Sequence, residues 1–320
     1  MLRRHAPSPL FFGTLAIAAA ILLGGCEETS SRLQTTQPAA KDAPIVAVTA
    51  SAQELFSAVK WPAQIAGPSV IGGYSRGCLA RAEALPLDGP HWQVMRTSRN
   101  RYWGHPNLIA FIKDLAEKES KAGWPGLLVG DLGQPRGGPA PTGHASHQIG
   151  LDVDIWLSPM PPQRYSDVER EEVPARSMLK PQTIQVDRHL FTPAHAAFIK
   201  RAAESPDVAR IFVNPGIKKA LCQSAGRDRA WLGKVRPWRG HDEHIHVRLR
   251  CPAGELMCQA QDPPPEGDGC GAELTSWLKS KDWQKTGPEP QMQPTPMSAL
   301  PATCTQVVQA PDMRQTAVNQ

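Results

Sequence analysis

Two short stretches concentrate histidine and carboxylate side chains in a pattern suited to metal chemistry. His144 and His147 precede Asp152 and Asp154, and further along His241, Glu243, His244 and His246 crowd together. His147 and Asp154 are separated by Gln148-Ile149-Gly150 and an alternating run, so a loop histidine can sit over the carboxylate face of a strand. In His244-Ile245-His246 the two imidazoles are two residues apart, and residues i and i+2 of a strand point to the same side. Each pattern alone is weak, because a single histidine in a secreted chain is usually a surface or hydrogen-bonding residue. Together, His147, Asp154 and one histidine of the pair offer three ligands and leave a fourth tetrahedral position for water, as catalytic zinc requires and structural zinc does not.

These side chains need strands and a loop to hold them, and the flanking sequence supplies both. Leu151, Val153, Ile155 and Leu157 alternate with Asp152, Asp154 and Trp156, which predicts a half-buried strand with two carboxylates on its less apolar face. Ile245, Val247 and Leu249 alternate with His244, His246, Arg248 and Arg250, giving a second strand with a polar face. Before them, Leu108, Ile109, Phe111, Ile112 and Leu115 recur at helical spacing from Pro106 to about Ala122, with Gly123 and Pro125 ending the helix. Gly126 to Asp131 reads as a buried strand, and Gly133 to Gly143 as a Gly/Pro-rich loop of the length that is often functional. Helices are expected from Pro193 to Ala203 and from Ile217, with a strand at Ile211-Phe212-Val213 between them.

Both ends of the 320-residue chain look unsuited to a packed core. Arg3, Arg4 and His5 precede an apolar run from Leu10 to Leu23 that is too short for a comfortable membrane span and reads as a secretion signal. It closes on Leu23-Gly24-Gly25-Cys26, which resembles the lipobox of bacterial lipoproteins, so residues 1–25 are expected to be removed and Cys26 acylated. Residues 26–54 then form a polar spacer between a lipid anchor and the folded domain, residues 55–286. The Pro/Gln-rich residues 287–320 read as an extended tail.

With Cys26 set aside, Cys78, Cys222, Cys251, Cys258, Cys270 and Cys304 remain, an even set in a chain bearing a signal, which predicts disulfides without choosing their connectivity. No Cys-x-x-Cys pair supports a cysteine zinc cluster. The net charge of +5 is spread along the chain with no Lys/Arg cluster interleaved with aromatics, so nucleic acid is not an expected partner. A polyanionic cell wall suits a mildly basic protein. No Gly-x-Ser-x-Gly elbow, phosphate loop or internal repeat occurs.

The run Gly143-His144-Ala145-Ser146-His147-Gln148-Ile149-Gly150-Leu151-Asp152-Val153-Asp154 and the segment His241 to Arg250 resemble the penicillin-insensitive murein endopeptidases, relatives of lysostaphin and the D-alanyl-D-alanine carboxypeptidases. Arg101-Tyr102-Trp103-Gly104-His105-Pro106, Lys234-Val235-Arg236-Pro237-Trp238 and Gly267-Asp268-Gly269-Cys270 fit the same family, so the resemblance runs from about Ala66 to Lys279. It implies an α+β fold in which a small antiparallel sheet bears the zinc site, flanked by helices and long loops. It implies Zn2+ held by His147, Asp154 and His246, with His244 as catalytic residue and His144 and His241 lining the cleft. It implies the disulfides Cys78–Cys304, Cys222–Cys270 and Cys251–Cys258. The implied reaction is hydrolysis of the D-alanyl to meso-diaminopimelyl cross-link of peptidoglycan.

Glu243 is a rival to His244 as general base, because it lies three residues before the ligand, as the catalytic glutamate does in the related D-alanyl-D-alanine dipeptidases. Strand alternation favours His244. Asp152 shares the face of Asp154 and reads either as a support for a ligand or an arginine, or as a simple surface carboxylate. Two other functions fit the same chain: a D,D-carboxypeptidase trimming stem peptides, and a murein-binding lipoprotein without activity, although all expected site positions are filled. A periplasmic, lipid-anchored location is expected, and Glu27 rather than aspartate after Cys26 leans toward the outer membrane.

Overall fold

In a computed structural model the described residues are 50–66, 69–280 and 293–313. The signal, Cys26, most of the spacer and residues 281–292 lie outside them. Among the described residues no helix is long and apolar enough to cross a membrane.

The chain runs through α1 (Ala52–Ala58), β1 (Val70–Gly73), β2 (Arg76–Leu79), β3 (Glu83–Ala84), β4 (Asp88–Gly89), β5 (Trp92–Val94), β6 (Trp103–Gly104), α2 (Pro106–Lys121), β7 (Leu127–Val129) and β8 (Asp152–Trp156). It continues through α3 (Asp167–Glu172), α4 (Pro193–Glu204), β9 (Val208–Val213), α5 (Pro215–Ser224), β10 (Val235–Pro237), β11 (His244–Leu249), α6 (Ala272–Ser280) and α7 (Thr303–Gln309). Helices thus flank β-sheet in an α+β arrangement. The main sheet is larger than the small antiparallel one expected: it has seven strands in the order β10-β9-β11-β8-β7-β5-β4. It is also mixed, since β5 runs parallel to β7 and β9 parallel to β10. The added strands span two or three residues each, too few for alternation to reveal them in sequence.

The two central strands pair antiparallel, with Val247 opposite Val153, Ile245 opposite Ile155 and His246 opposite Asp154. One face sends Val153, Ile155, Ile245, Val247 and Leu249 into a core shared with Leu108, Ile112 and Leu115 of α2 and Phe198, Ile199 and Ala202 of α4, all essentially inaccessible. A mid-sized apolar side chain so buried contributes about 1.5–3 kcal/mol, and this common core fixes β8 against β11. α2 begins with Pro106 at its first position and with the His105 ring accepting the Asn107 N–H, which meets one of the unpaired amide donors of the helix start.

β8 differs from the half-buried strand expected: every residue from Asp152 to Trp156 is buried. Its polar face is met by His144 and His147 of the preceding loop and by the His246 and Arg248 side chains of β11, so the carboxylates are internal rather than solvated.

The ends differ as well. The spacer was expected to reach residue 54, but α1 starts at Ala52, where Ser51 and Glu54 form a capping box. The tail was expected to be extended, yet it carries a 3-10 turn at Met297–Ala299 and the helix α7. Phe56 of α1 and Val307 and Cys304 of α7 pack with Ile71 and Cys78 in a second apolar cluster. Polarity misled the sequence reading, because α7 buries little beyond Cys304 and Val307. The disulfides are Cys78–Cys304, Cys222–Cys270 and Cys251–Cys258, and the first ties α7 to β2 across 226 residues of sequence. The buried Arg136 adds a polar clasp, donating to the carbonyls of Trp61, Val307 and Val308 and pairing with Asp312.

Candidate metal centre

β8 and β11 bring the polar residues of both sequence clusters into one row. Asp154 stands opposite His246, and His246 in turn stands opposite Phe212 on β9. The loop before β8 returns His147 to the same place. His147 has φ +67°, a left-handed backbone that costs a non-glycine residue free energy and persists because the surroundings impose it. Its amide donates to Asp152 Oδ2 at 3.1 Å, and its Nδ1 lies 2.6 Å from the carbonyl of Leu132. A nitrogen facing a carbonyl carries the proton, so Nε2 presents a lone pair to the centre of the site.

His246 is oriented by the same logic with its nitrogens exchanged. Nε2 donates to Asp152 Oδ1 at 2.8 Å, which leaves the Nδ1 lone pair 3.6 Å from Asp154 Oδ1. His147 Nε2 is 3.5 Å from that oxygen and His244 Nε2 is 3.8 Å from it. Three imidazole nitrogens therefore converge on one carboxylate oxygen. Asp154 Oδ1, His147 Nε2 and His244 Nε2 are all buried without a hydrogen-bond partner. Buried polar atoms are rarely left so, and their desolvation is costly.

The electrostatics point to a cation. Burial raises the pKa of Asp154, but the imidazoles of His144, His147 and His244 outweigh it and hold the carboxyl well below its usual range. Burial pushes His246 down to about 4 and also lowers His244 and His241. A carboxylate held ionised beside His244 and His246, whose charged forms burial disfavours, suits metal ligation, which takes carboxylate and imidazole ligands without their protons. Asp154 Oδ1 lies 3.5 Å from His147 Nε2 and 3.6 Å from His246 Nδ1, each close to the ~3.3–3.4 Å tetrahedral edge implied by bonds of about 2.0–2.1 Å. Imidazole nitrogens grouped with a carboxylate oxygen suit a divalent metal ion.

His144 complicates the ligand set. Among the described residues, a group whose donor atoms all lie within 4.8 Å of one another is His144, His147 and Asp154, with His144 in place of the expected His246. His144 approaches from the other side: its Nε2 is 3.1 Å from Asp154 Oδ2 and 3.4 Å from Asp131 Oδ2. It sits between two carboxylates, whereas His246 faces the unpartnered Oδ1. His246 is also fixed by Asp152, as metal-bound imidazoles usually are by an acceptor on their second nitrogen.

His241 closes the opposite side, with ring centroids 5.0 Å from His244 and 5.9 Å from His246. Its φ is +54°, and Nδ1 bonds the Arg239 carbonyl at 2.8 Å. Glu243 precedes the first residue of β11, and its backbone carbonyl extends the ladder to Leu157. Burial and then Asp242 raise its pKa against a lowering by Arg96, whereas His244 responds to Asp154, His144 and His147. His244 shares the electrostatic environment of the cluster; Glu243 belongs to a different one.

Asp152 is fully buried and serves both strands: besides His147 and His246 it accepts Arg248 Nε at 2.7 Å. The Arg248 guanidinium also lies 4.3 Å from the Tyr74 ring and 5.2 Å from the Phe212 ring. Asp131 escaped sequence reasoning. It lies two residues beyond the end of β7 and is paired with Arg99, Arg101 and His144. Its signal was a carboxylate at a strand end leading into the long Gly/Pro-rich loop.

Comparison with known proteins gives the class first, that of a peptidase: a family model described as penicillin-insensitive murein endopeptidase matches residues 70–309. A Haemophilus influenzae protein of that name is 44% identical over 254 residues, spanning 79% of this chain and 87% of its own length. Proteins of the same name from Pectobacterium atrosepticum and Escherichia coli K12 are 48% and 47% identical, over 74% and 73% of this chain and 83% and 84% of theirs. The chain belongs to the penicillin-insensitive murein endopeptidase family.

Proposed function

We propose that this protein is a zinc-dependent murein endopeptidase that hydrolyses the D-alanyl to meso-diaminopimelyl cross-link of peptidoglycan. The observation that carries the reading is the convergence of His147 Nε2, His246 Nδ1 and His244 Nε2 on the unpartnered Oδ1 of Asp154. The names of the relatives support murein as the substrate, and the choice of bond rests on the resemblance carried by the sequence motifs.

His147, Asp154 and His246 would hold the zinc, and His144 lines the cleft beside them. Bound there, zinc supplies Lewis acidity, lowering the pKa of water toward about 7 and polarising a carbonyl. The chain's own residues do the rest. His244 presents a neutral, unpartnered Nε2 that takes the proton of the attacking water and returns it to the departing amine. Asp152 holds the His246 ring and the His147 backbone so that their lone pairs stay aimed. His241 packs on the His244 ring and limits its rotation. Export to the periplasm with acylation at Cys26 belongs to the same proposal and rests on the first 26 residues of the sequence.

The test is digestion of purified cross-linked muropeptide dimers, with His246→Ala and a chelator-treated sample alongside. Conversion of dimers to monomers that needs the intact site supports the endopeptidase. Release of terminal alanine alone would make the protein a carboxypeptidase, and zinc binding without cleavage would make it a wall-binding protein.

A further inference from the structure

Next to the histidine cluster lies a second pocket with a different chemistry. A small depression is lined by His144, His147, Leu132, Gln134 and Arg101. A neighbouring, roomier one shares Arg101 and Gln134 with it and continues to Arg99, Asn100 and Lys60. Arg101 is thus the wall between the two.

The second pocket is rich in cations. Arg101 is buried, with Nη1 3.0 Å from Asp131 Oδ2 and Nη2 3.2 Å from Thr142 Oγ1. Arg99 reaches the same Asp131 oxygen at 3.1 Å with one nitrogen while its side chain stays 47% exposed. The Lys60 ammonium donates to the Ser57 carbonyl at 3.3 Å, and among the described residues it has no carboxylate partner. No carboxylate is among the residues that line the pocket, and Asp131, which pairs with Arg99 and Arg101 behind it, serves His144 as well. Three cations and no carboxylate line the pocket, which leaves its wall positive.

The pocket is also rigidly built. Arg99 ends a short 3-10 turn, Thr97–Arg99, flanked by Arg96 and Asn100, both in the left-handed region at φ +57° and +54°. Glu171 accepts from the Ser98 amide and from both turn hydroxyls, and Arg96 is tied to the carbonyls of Arg170 and Val173. Asn100 donates to the Lys60 carbonyl at 3.3 Å, linking the turn to the end of α1. Strained backbone held by so many bonds marks a segment whose geometry is used.

From these observations we propose that Lys60 and Arg99, with Arg101 behind them, bind a free carboxylate of the substrate peptide. Arginine pairs with carboxylate through two parallel N–H bonds, and Arg99, with one nitrogen on Asp131, lines the pocket with its side chain about half exposed. The proposal rests on the murein reading of the metal centre, where the substrate is a branched peptide carrying carboxylates that take no part in the cross-link. The subsite lies one residue's width from the cluster, since Arg99 and His144 touch the same Asp131 oxygen.

Two measurements on the full chain test this. Cleavage of cross-linked dimers with free carboxylates is compared with cleavage of the same dimers amidated, for the wild type, Lys60→Ala and the Lys60→Ala/Arg99→Gln pair. Binding of an uncross-linked, free-carboxylate stem peptide is measured by calorimetry on the same proteins. The wild type should prefer the free form about tenfold in kcat/KM, mostly through KM, and the pair should bring that ratio toward one and weaken peptide binding about tenfold. If the wild type cleaves both forms alike, or the variants keep the preference, the subsite is wrong and the endopeptidase stands. If no dimer is cleaved but the variants still lose the peptide, the endopeptidase is wrong and the subsite stands. Lys60 is exposed, so its substitution leaves the fold in place.

Discussion

Asp152 Oδ1 accepts the Nε2–H of His246 at 2.8 Å from the depth of the sheet, and its other oxygen accepts the backbone amide of His147 at 3.1 Å. One carboxylate thus aims a ring on β11 and a loop preceding β8. Asp152→Asn keeps the shape and removes the charge. Zinc affinity, read by competition with a chelator, should fall about 10–100-fold. The fold should also lose stability, because Arg248 is left buried without its ion pair. Unchanged affinity would mean that Asp152 does not orient the site.

The base assignment separates two neighbours in sequence. His244→Ala should lower kcat about 10²–10⁴-fold while zinc content stays near one per chain, and Glu243→Gln should cost far less. Metal content and dimer cleavage are measured on the same samples. A large loss in Glu243→Gln with His244→Ala active would reverse the assignment.

Acid sensitivity of the metal-free protein follows from His246. Burial lowers its folded pKa to about 4, against an ordinary value near 6.5 in the unfolded chain. Between these values the unfolded chain binds more protons, so stability must fall as pH drops through that window. Above pH 6.5 both states are neutral and the effect is absent. Denaturant midpoints of chelator-treated protein at pH 7 and pH 4.5, for wild type and His246→Gln, check this: the variant should show a shallower slope. Equal slopes would exclude His246 as the source.

The Cys78–Cys304 bridge closes the longest loop in the molecule. Replacing both cysteines by alanine should cost about 2–5 kcal/mol through the greater entropy of the unfolded chain, with a matching fall in Tm. Because α7 and Phe56 pack in the same cluster, protection of the α7 amides from hydrogen exchange should fall before that of β8 and β11. A Tm equal to that of the wild type would show that Arg136 and apolar packing suffice to hold α7.

Removing the metal tests the centre as a whole. Chelation should abolish cleavage, and added zinc should restore it. Chelation should also lower Tm, since a ligand bound only by the folded state stabilises it by mass action. Full activity after exhaustive chelation would overturn the zinc reading.

Much of this was legible in the sequence because it depends on local spacing. Alternation in residues 151–157 and 245–249 placed Asp152, Asp154, His244 and His246 on strand faces, and the 3.6-residue period of α2 was as plain. The tertiary structure decided what spacing cannot carry. Strands of two or three residues enlarged the sheet and turned part of it parallel. Coverage by the loop from His144 made β8 internal, which turned Asp152 from a possible surface carboxylate into the buried support of two histidines. The choice of ring nitrogen at His147 and His246 came from the Leu132 carbonyl and Asp152, partners set by folding rather than by adjacency. The sequence determined which groups could do chemistry and which strand faces they share. Only the packed chain decided their burial, and burial sets the protonation states on which metal binding depends.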